Sequence, residues 1–110
     1  MNIYKLKSKF RNYRTNKSLT LKEAMQIMNT NKSTILIDVR SQQEYREYHI
    51  DGAICIPHFE IQNKIEQFVK NKNALIILYC QSGIRSKSAI EILERKGYNN
   101  VYHIKNGLDG

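Results

Sequence analysis

The chain is short of the residues that staple or punctuate a fold. Its 110 residues hold no tryptophan, one proline and two cysteines, Cys55 and Cys80. Two cysteines do not make the disulfide framework of a small secreted domain. That count fits a reducing, cytoplasmic setting. The three histidines are scattered, and nothing resembles paired Cys/His zinc spacing. The five glycines form no phosphate-binding loop and mark no internal repeat. Neither a metal nor an organic cofactor is expected. No run approaches the ~20 apolar residues of a membrane-spanning helix. No apolar N-terminal stretch resembles a secretory signal.

Acid is also missing, but only locally. Residues 1–17 carry Lys5, Lys7, Lys9, Arg11, Arg14 and Lys17 and no acid at all. The rest of the chain holds twelve of the 18 bases and all ten acids, so most of the net charge of +8 belongs to an N-terminal arm. Within it Ile3, Leu6, Phe10 and Tyr13 are spaced as one face of a short amphipathic helix. The plain reading is a frayed or docked extension. The functional reading is contact with an anionic membrane surface or an acidic partner; a weaker likeness is to an organelle presequence. Aromatics are not interleaved on a folded basic face, so nucleic acid is not an expected partner. Residues 18–110 are one domain on length, expected as a monomer.

The chemistry gathers in one stretch. Leu75 to Tyr79 is an unbroken apolar run, the mark of a strand buried on both faces. Ser86, Ala89, Ile90 and Leu93 then recur at helical spacing. Arg95 and Lys96 give a basic last turn before Gly97, a helix C-cap. Cys80 thus stands at the carboxyl end of a core strand, facing a helix start, the place where open parallel sheets bind ligands. Amides there lack intrahelical partners and with the helix dipole attract anions. A thiol in such a place ionises more readily, and the thiolate is the nucleophile. Gly83 lets the loop curl around one point, and Arg85 adds positive charge at the rim. A buried, inert cysteine is the competing reading; Gly83, Arg85 and the helix start argue against it.

These residues resemble the active-site loop of the rhodanese (thiosulfate sulfurtransferase) domains. The loop is Cys80-Gln-Ser-Gly-Ile-Arg85-Ser86. Leu36 to Arg40, followed by Glu44-Tyr45, is similar to the family's first motif. His49-Ile-Asp-Gly-Ala-Ile54, with Ile56-Pro57, is similar to its second. Gly97-Tyr98, Val101-Tyr102 and Asn106-Gly107 match its usual ending. The resemblance spans about residues 18 to 110. It implies an α/β fold, a three-layer α/β/α domain with a mainly parallel sheet of about five strands flanked by helices. It further implies sulfur transfer through a Cys80 persulfide, from thiosulfate or a persulfide or polysulfide donor to cyanide, a thiol or a protein. Amides from Gln81, Ser82, Gly83, Ile84 and Ser86 would hold the persulfide, and Arg85 the anionic donor. Asp38 and Arg40 would serve a polar network supporting the site.

Two departures stand out. Many thiosulfate-using loops carry a second base after the cysteine, where this chain has Gln81, and Ile84 is apolar where polar residues are common. A less positive rim disfavours thiosulfate and favours a persulfide, polysulfide or protein-bound donor. The chain stops at Gly110 without the family's closing helix and tryptophan, so looser packing is expected there. Two other functions compete. Cys-x5-Arg phosphatases, and arsenate reduction with them, need five residues between cysteine and arginine; Cys80 and Arg85 are separated by four. A non-catalytic module that binds a partner or senses redox state usually lacks the cysteine, and Cys80 is present; a regulatory or sulfur-carrier role is the alternative to catalysis.

Along the rest of the chain, Ser18 to Leu21 reads as a short edge strand. Thr20-Leu-Lys-Glu23 and Ser41-Gln-Gln-Glu44 are capping-box patterns. They start a helix through Leu21, Ala24, Met25 and Met28, with both methionines in the core, and a short helix over Glu44 to Tyr48. Strands are expected at Ile35 to Val39, Ala53 to Ile56 and Val101 to Ile104. Ile61, Ile65, Phe68 and Val69 mark another helix. His49 reads as structural, and Cys55 as a core or loop-base residue, with a resolving role as the alternative.

Overall fold

The computed structural model describes residues 17–110; the reading of the arm otherwise falls outside them. Among the described residues five strands and four α-helices follow one another. They are β1 (Ser18–Leu19), α1 (Leu21–Thr30), β2 (Ile35–Asp38), α2 (Gln42–Glu47), β3 (Ile54–Cys55), α3 (Ile61–Phe68), β4 (Ile76–Tyr79), α4 (Ile84–Arg95) and β5 (Val101–Ile104). A 3-10 turn, Gly107–Asp109, ends the chain. The sheet has the order β1-β5-β4-β2-β3, and every pairing is parallel. Parallel neighbours need crossovers, which is why helices alternate with the strands.

The sheet separates two apolar layers. On one face Ile37, Ile76, Leu78 and Val101 pack with Ile61 and Ile65 of α3 and Ala89, Ile90 and Leu93 of α4. On the other, Leu36, Ile77, Tyr79 and Ile104 pack with Ala24 of α1 and with Ile50 and Ala53. Odd and even positions of one strand serve opposite layers because strand side chains alternate. Central β4 is covered on both faces, and Ile76, Ile77, Leu78 and Tyr79 are each 0% exposed. Truncating Leu78 to Ala would cost roughly 2–5 kcal/mol through lost burial and the cavity left behind.

Both capping boxes form. Thr20 and Glu23 exchange side-chain-to-backbone bonds of 3.0 and 2.9 Å, and Ser41 and Glu44 bonds of 3.1 and 2.9 Å. The second places the start of α2 at Gln42, earlier than the expected Glu44, because the cap residue is Ser41 itself. At the end of α4 the amides of Gly97 and Tyr98 bond back to Glu94 and Leu93, each at 3.0 Å, closing the helix as expected. Apolar spacing overreached in three places. Leu21 and Met25 on α1 are 39% and 45% exposed, and Phe68 on α3 is 50% exposed. Both helices lie on the outside of the sheet, where only a narrow stripe meets the core. Met28 does pack against its cluster.

Candidate active site

The geometry around Cys80 follows from where β4 ends. The strand delivers Cys80 to the sheet's carboxyl edge, fully buried. Three residues later the chain turns through Gly83, at φ +101°, and α4 begins at Ile84. A Cβ on Gly83 would stand 2.0 Å from the Lys105 carbonyl oxygen, so only glycine fits. This turn aims amides inward. Cys80 Sγ accepts the Gly83 N–H at 3.1 Å and the Ser86 N–H at 3.3 Å. Gly83 is the N-cap residue and has no side chain with which to cap. The sulfur therefore takes an orphan amide of the first turn of α4. A negative charge on it would be held by two aimed N–H groups and the helix dipole.

The 3-10 turn braces this loop from behind. Leu108 N–H donates to the Cys80 carbonyl at 3.2 Å, and Asp109 N–H to the Gln81 carbonyl at 2.9 Å. Gln81 Nε2 donates to Asp109 Oδ1 at 2.7 Å. Gly107 allows the close approach, since a Cβ there would lie 2.2 Å from the Cys80 carbonyl oxygen. This turn thus makes three hydrogen bonds to the loop, where looser packing was expected.

Arg85 is not a free cation. Its Nη1 and Nη2 donate to the two carboxylate oxygens of Glu44, on α2, at 2.9 and 3.1 Å. The Arg85 hydrogen bond, followed by the Ser41 amide, holds the Glu44 carboxyl down at about 2. In return Glu44 raises the guanidinium above its ordinary value. The rim therefore carries a closed ion pair where sequence spacing alone implied open positive charge. Beside it Ile84 is 75% exposed.

Asp38 and Arg40 support from below. Asp38 is 0% and Arg40 4% exposed. Arg40 Nε and Nη2 grip the Asp38 carboxylate at 3.0 and 2.8 Å, and the Arg40 amide bonds it at 2.9 Å. Burial works against the Arg40 charge, but the hydrogen bonds and charge of Asp38 outweigh it and raise its pKa. Arg40 Nη2 also donates to the Tyr48 carbonyl, and the guanidinium lies 5.8 Å from the Tyr79 ring centre. This network ties β2 to the chain just beyond α2, and so sets the helix that presents Glu44. His49 bonds the Tyr45 carbonyl through Nδ1 at 2.8 Å and stacks on the Tyr45 ring at 3.7 Å. Cys55 Sγ donates to the Arg40 carbonyl at 3.7 Å. Burial, then the Asp38 charge, pushes its thiol up to about 11.

One site residue was not anticipated. His103 of β5 is 3% exposed and bonds Ser86 Oγ at 2.8 Å through Nδ1. A signal was available: a lone imidazole inside an apolar strand. In the parallel pairing His103 stands beside Leu78, two residues before Cys80 and on the same face of the sheet. Among the described residues no group of three or more His, Cys, Asp or Glu could hold a metal ion. No described helix is long and apolar enough to cross a membrane.

Comparison with known proteins places the family and the fold. The family model for the rhodanese-like domain matches residues 20–110. Over 65 residues the chain is 42% identical to the thiosulfate sulfurtransferase PspE of Escherichia coli, covering 59% of this chain and 62% of that one. Over 82 residues it is 39% identical to a tRNA uridine(34) hydroxylase of Buchnera aphidicola, covering 71% of this chain and 26% of that protein. The chain thus spans about a quarter of that hydroxylase and under two thirds of PspE. Among solved structures, a rhodanese from E. coli with anions superposes at a TM-score of 0.63, with 39% identity over 68% of this chain and 87% of that one. A rhodanese-like domain protein from Staphylococcus aureus gives 0.74, with 29% identity over 84% and 87%.

Proposed function

The chain belongs to the rhodanese-like domain family, and from that premise we propose that it moves a sulfane sulfur through a persulfide on Cys80. The observation that carries this reading is the pair of backbone amides, Gly83 and Ser86, aimed at Cys80 Sγ from the start of α4. They favour the sulfur as an anion, which is what covalent sulfur transfer requires. In the first step the Cys80 thiolate attacks the outer sulfur of the donor. The donor's S–S bond breaks, and its electron pair leaves with sulfite or a thiolate. In the second step a nucleophilic acceptor takes the terminal sulfur, and Cys80 Sγ departs as a thiolate. Nucleophile and leaving group are the same sulfur, so the same two amides serve both steps.

The rim argues for the class of donor. Thiosulfate is a dianion, and two polar side chains of the loop that would face it are already engaged by carboxylates: Arg85 by Glu44 and Gln81 by Asp109. Exposed Ile84 adds apolar surface. A persulfide or polysulfide, with less charge at its reactive end, fits this rim better than thiosulfate does. The four-residue spacing between Cys80 and Arg85 makes a smaller cradle than a phosphatase loop and favours one extra sulfur atom over a phosphate.

Mass spectrometry of the reduced protein after single exposures to polysulfide and to thiosulfate tests this. The expected result is a gain of one sulfur, roughly 32 Da, on the Cys80 peptide, removed by cyanide or a thiol and absent from Cys80→Ser. Polysulfide should load more completely at equal concentration. Absence of an adduct from either donor would refute the enzyme reading in favour of a regulatory module.

A further inference from the structure

An unbroken hydrogen-bonded chain leads away from the nucleophile. Cys80 Sγ lies 3.6 Å from Ser86 Oγ, Ser86 Oγ 2.8 Å from His103 Nδ1, and His103 Nε2 3.0 Å from Ser18 Oγ. Ser86 and His103 are 0% and 3% exposed, so water does not replace the two inner contacts; the outer one, to Ser18, is part-buried. The Ser86 hydroxyl has one proton and three acceptors within reach: His103 Nδ1, the Gly83 carbonyl at 3.3 Å, and Cys80 Sγ. The imidazole contact is the shortest.

Valence then restricts the states. In the arrangement that leaves His103 Nδ1 open to a proton, the Cys80 S–H points to Ser86 Oγ, the Ser86 proton goes to His103 Nδ1, and the ring keeps its proton on Nε2, toward Ser18. Once Cys80 is a thiolate the sulfur only accepts, and it competes for the proton of Ser86. The group behind Ser86 must then switch from acceptor to donor. A carbonyl such as that of Gly83 cannot switch; an imidazole can.

We propose that His103 is a positioning residue that takes up the Cys80 proton through Ser86 as the thiolate forms. The S–H bond breaks with its electron pair left on sulfur. The proton passes to Ser86 Oγ, and the proton of Ser86 passes to His103 Nδ1, giving an imidazolium one hydroxyl away from the thiolate. Reversal returns the proton when no donor has reacted. The charged groups that share the ring's groove, a cavity of about 520 Å³, are Lys87 and Glu91 of α4 and Lys105 beyond β5. Burial, with a smaller contribution from Lys87, lowers the His103 pKa. The ring therefore holds the extra proton only while the thiolate's charge is beside it, which couples the two groups in both directions. This inference rests on Cys80 as the nucleophile.

The test reads protons, not sulfur transfer. Rates of iodoacetamide capture at the Cys80 peptide are measured from about pH 5 to 9 for the wild type, His103→Gln, Ser86→Ala and the double variant. Both single variants should shift the profile to higher pH, with capture at pH 7 roughly tenfold slower for a one-unit shift. The double variant should add nothing further. A uniformly lower rate with an unmoved profile would overturn the proposal, because a merely structural role gives that result. Should these variants lose near-UV circular dichroism, the His103 ring is titrated by NMR in wild type and Cys80→Ser. A lower midpoint in Cys80→Ser supports the coupling, and equal midpoints overturn it. If sulfur donors fail to load while this coupling persists, the sulfurtransferase reading falls and the relay stands.

Discussion

Glu44→Gln isolates the charge at the rim. Gln is the informative replacement because its amide oxygen can still accept the Ser41 N–H that Glu44 Oε1 accepts at 2.9 Å, so the cap of α2 survives. What disappears is the carboxylate facing Arg85. A carboxyl held at about 2, against an ordinary 4.5, would correspond to roughly 3 kcal/mol if fully converted. Arg85 and Glu44 are 35% and 33% exposed, so solvent screening leaves about 1 kcal/mol. The folded-state value is depressed, so this stabilisation is complete above the ordinary carboxylate range and fades as pH falls toward about 2. Urea titrations should show the variant about 1 kcal/mol less stable at neutral pH, with the gap closing in acid. The catalytic effect has the opposite sign. Deleting one negative charge about 6 Å from the donor, at an effective dielectric of about 40–80, favours a donor by ~1 kcal/mol per unit of its charge. For dianionic thiosulfate this predicts a roughly ten- to hundredfold rise in kcat/KM at low salt, shrinking at about 0.5 M salt. A neutral trisulfide should change by less than about threefold, since a neutral donor has no first-order Coulomb term. An equal rise for both donors, or none for thiosulfate, would refute the argument that Glu44 neutralises Arg85.

Gly83→Ala should destabilise the fold by roughly 2–4 kcal/mol in chemical denaturation and abolish sulfur loading, because its Cβ meets the Lys105 carbonyl at 2.0 Å and the residue sits at φ +101°. Asp38→Asn leaves the buried Arg40 without its counter-charge and should cost about 3–5 kcal/mol in the same assay; a loss below about 1 kcal/mol would mean that water reaches the pair. Cys55, whose thiol is pushed up to about 11, should be alkylated at pH 7 roughly a hundredfold more slowly than a small-molecule thiol of ordinary pKa. Cys55→Ser should retain sulfur loading on Cys80 within about twofold, and a larger loss would revive a resolving role for Cys55.

Much of this architecture was legible because its causes are local. The apolar run before Cys80 can only be a strand covered on both faces. The two S/T-x-x-E patterns start α1 and α2, and the basic turn before Gly97 ends α4. Strand and helix periods alternating along one chain allow little but a parallel sheet with helices on both sides. Even the place of Cys80 could be read, since strand, tight loop and helix start define a place as well as a shape. The misread positions, Leu21, Met25 and Phe68, were those where an apolar residue fell just outside the stripe that meets the sheet.

What only the tertiary structure decided are pairings between residues far apart in sequence. Arg85 and Glu44 are 41 residues apart, Gln81 and Asp109 28, and Ser86 and His103 17. Whether such residues touch depends on strand order and register, and a one-residue slip would turn His103 to the opposite layer. The sequence by itself determined the elements, the sheet type and the place of Cys80 at the end of the central strand. Folding decided that the rim arginine is neutralised and that a histidine stands behind Cys80 and Ser86. Those two features depend on contacts that form only when distant strands and helices meet.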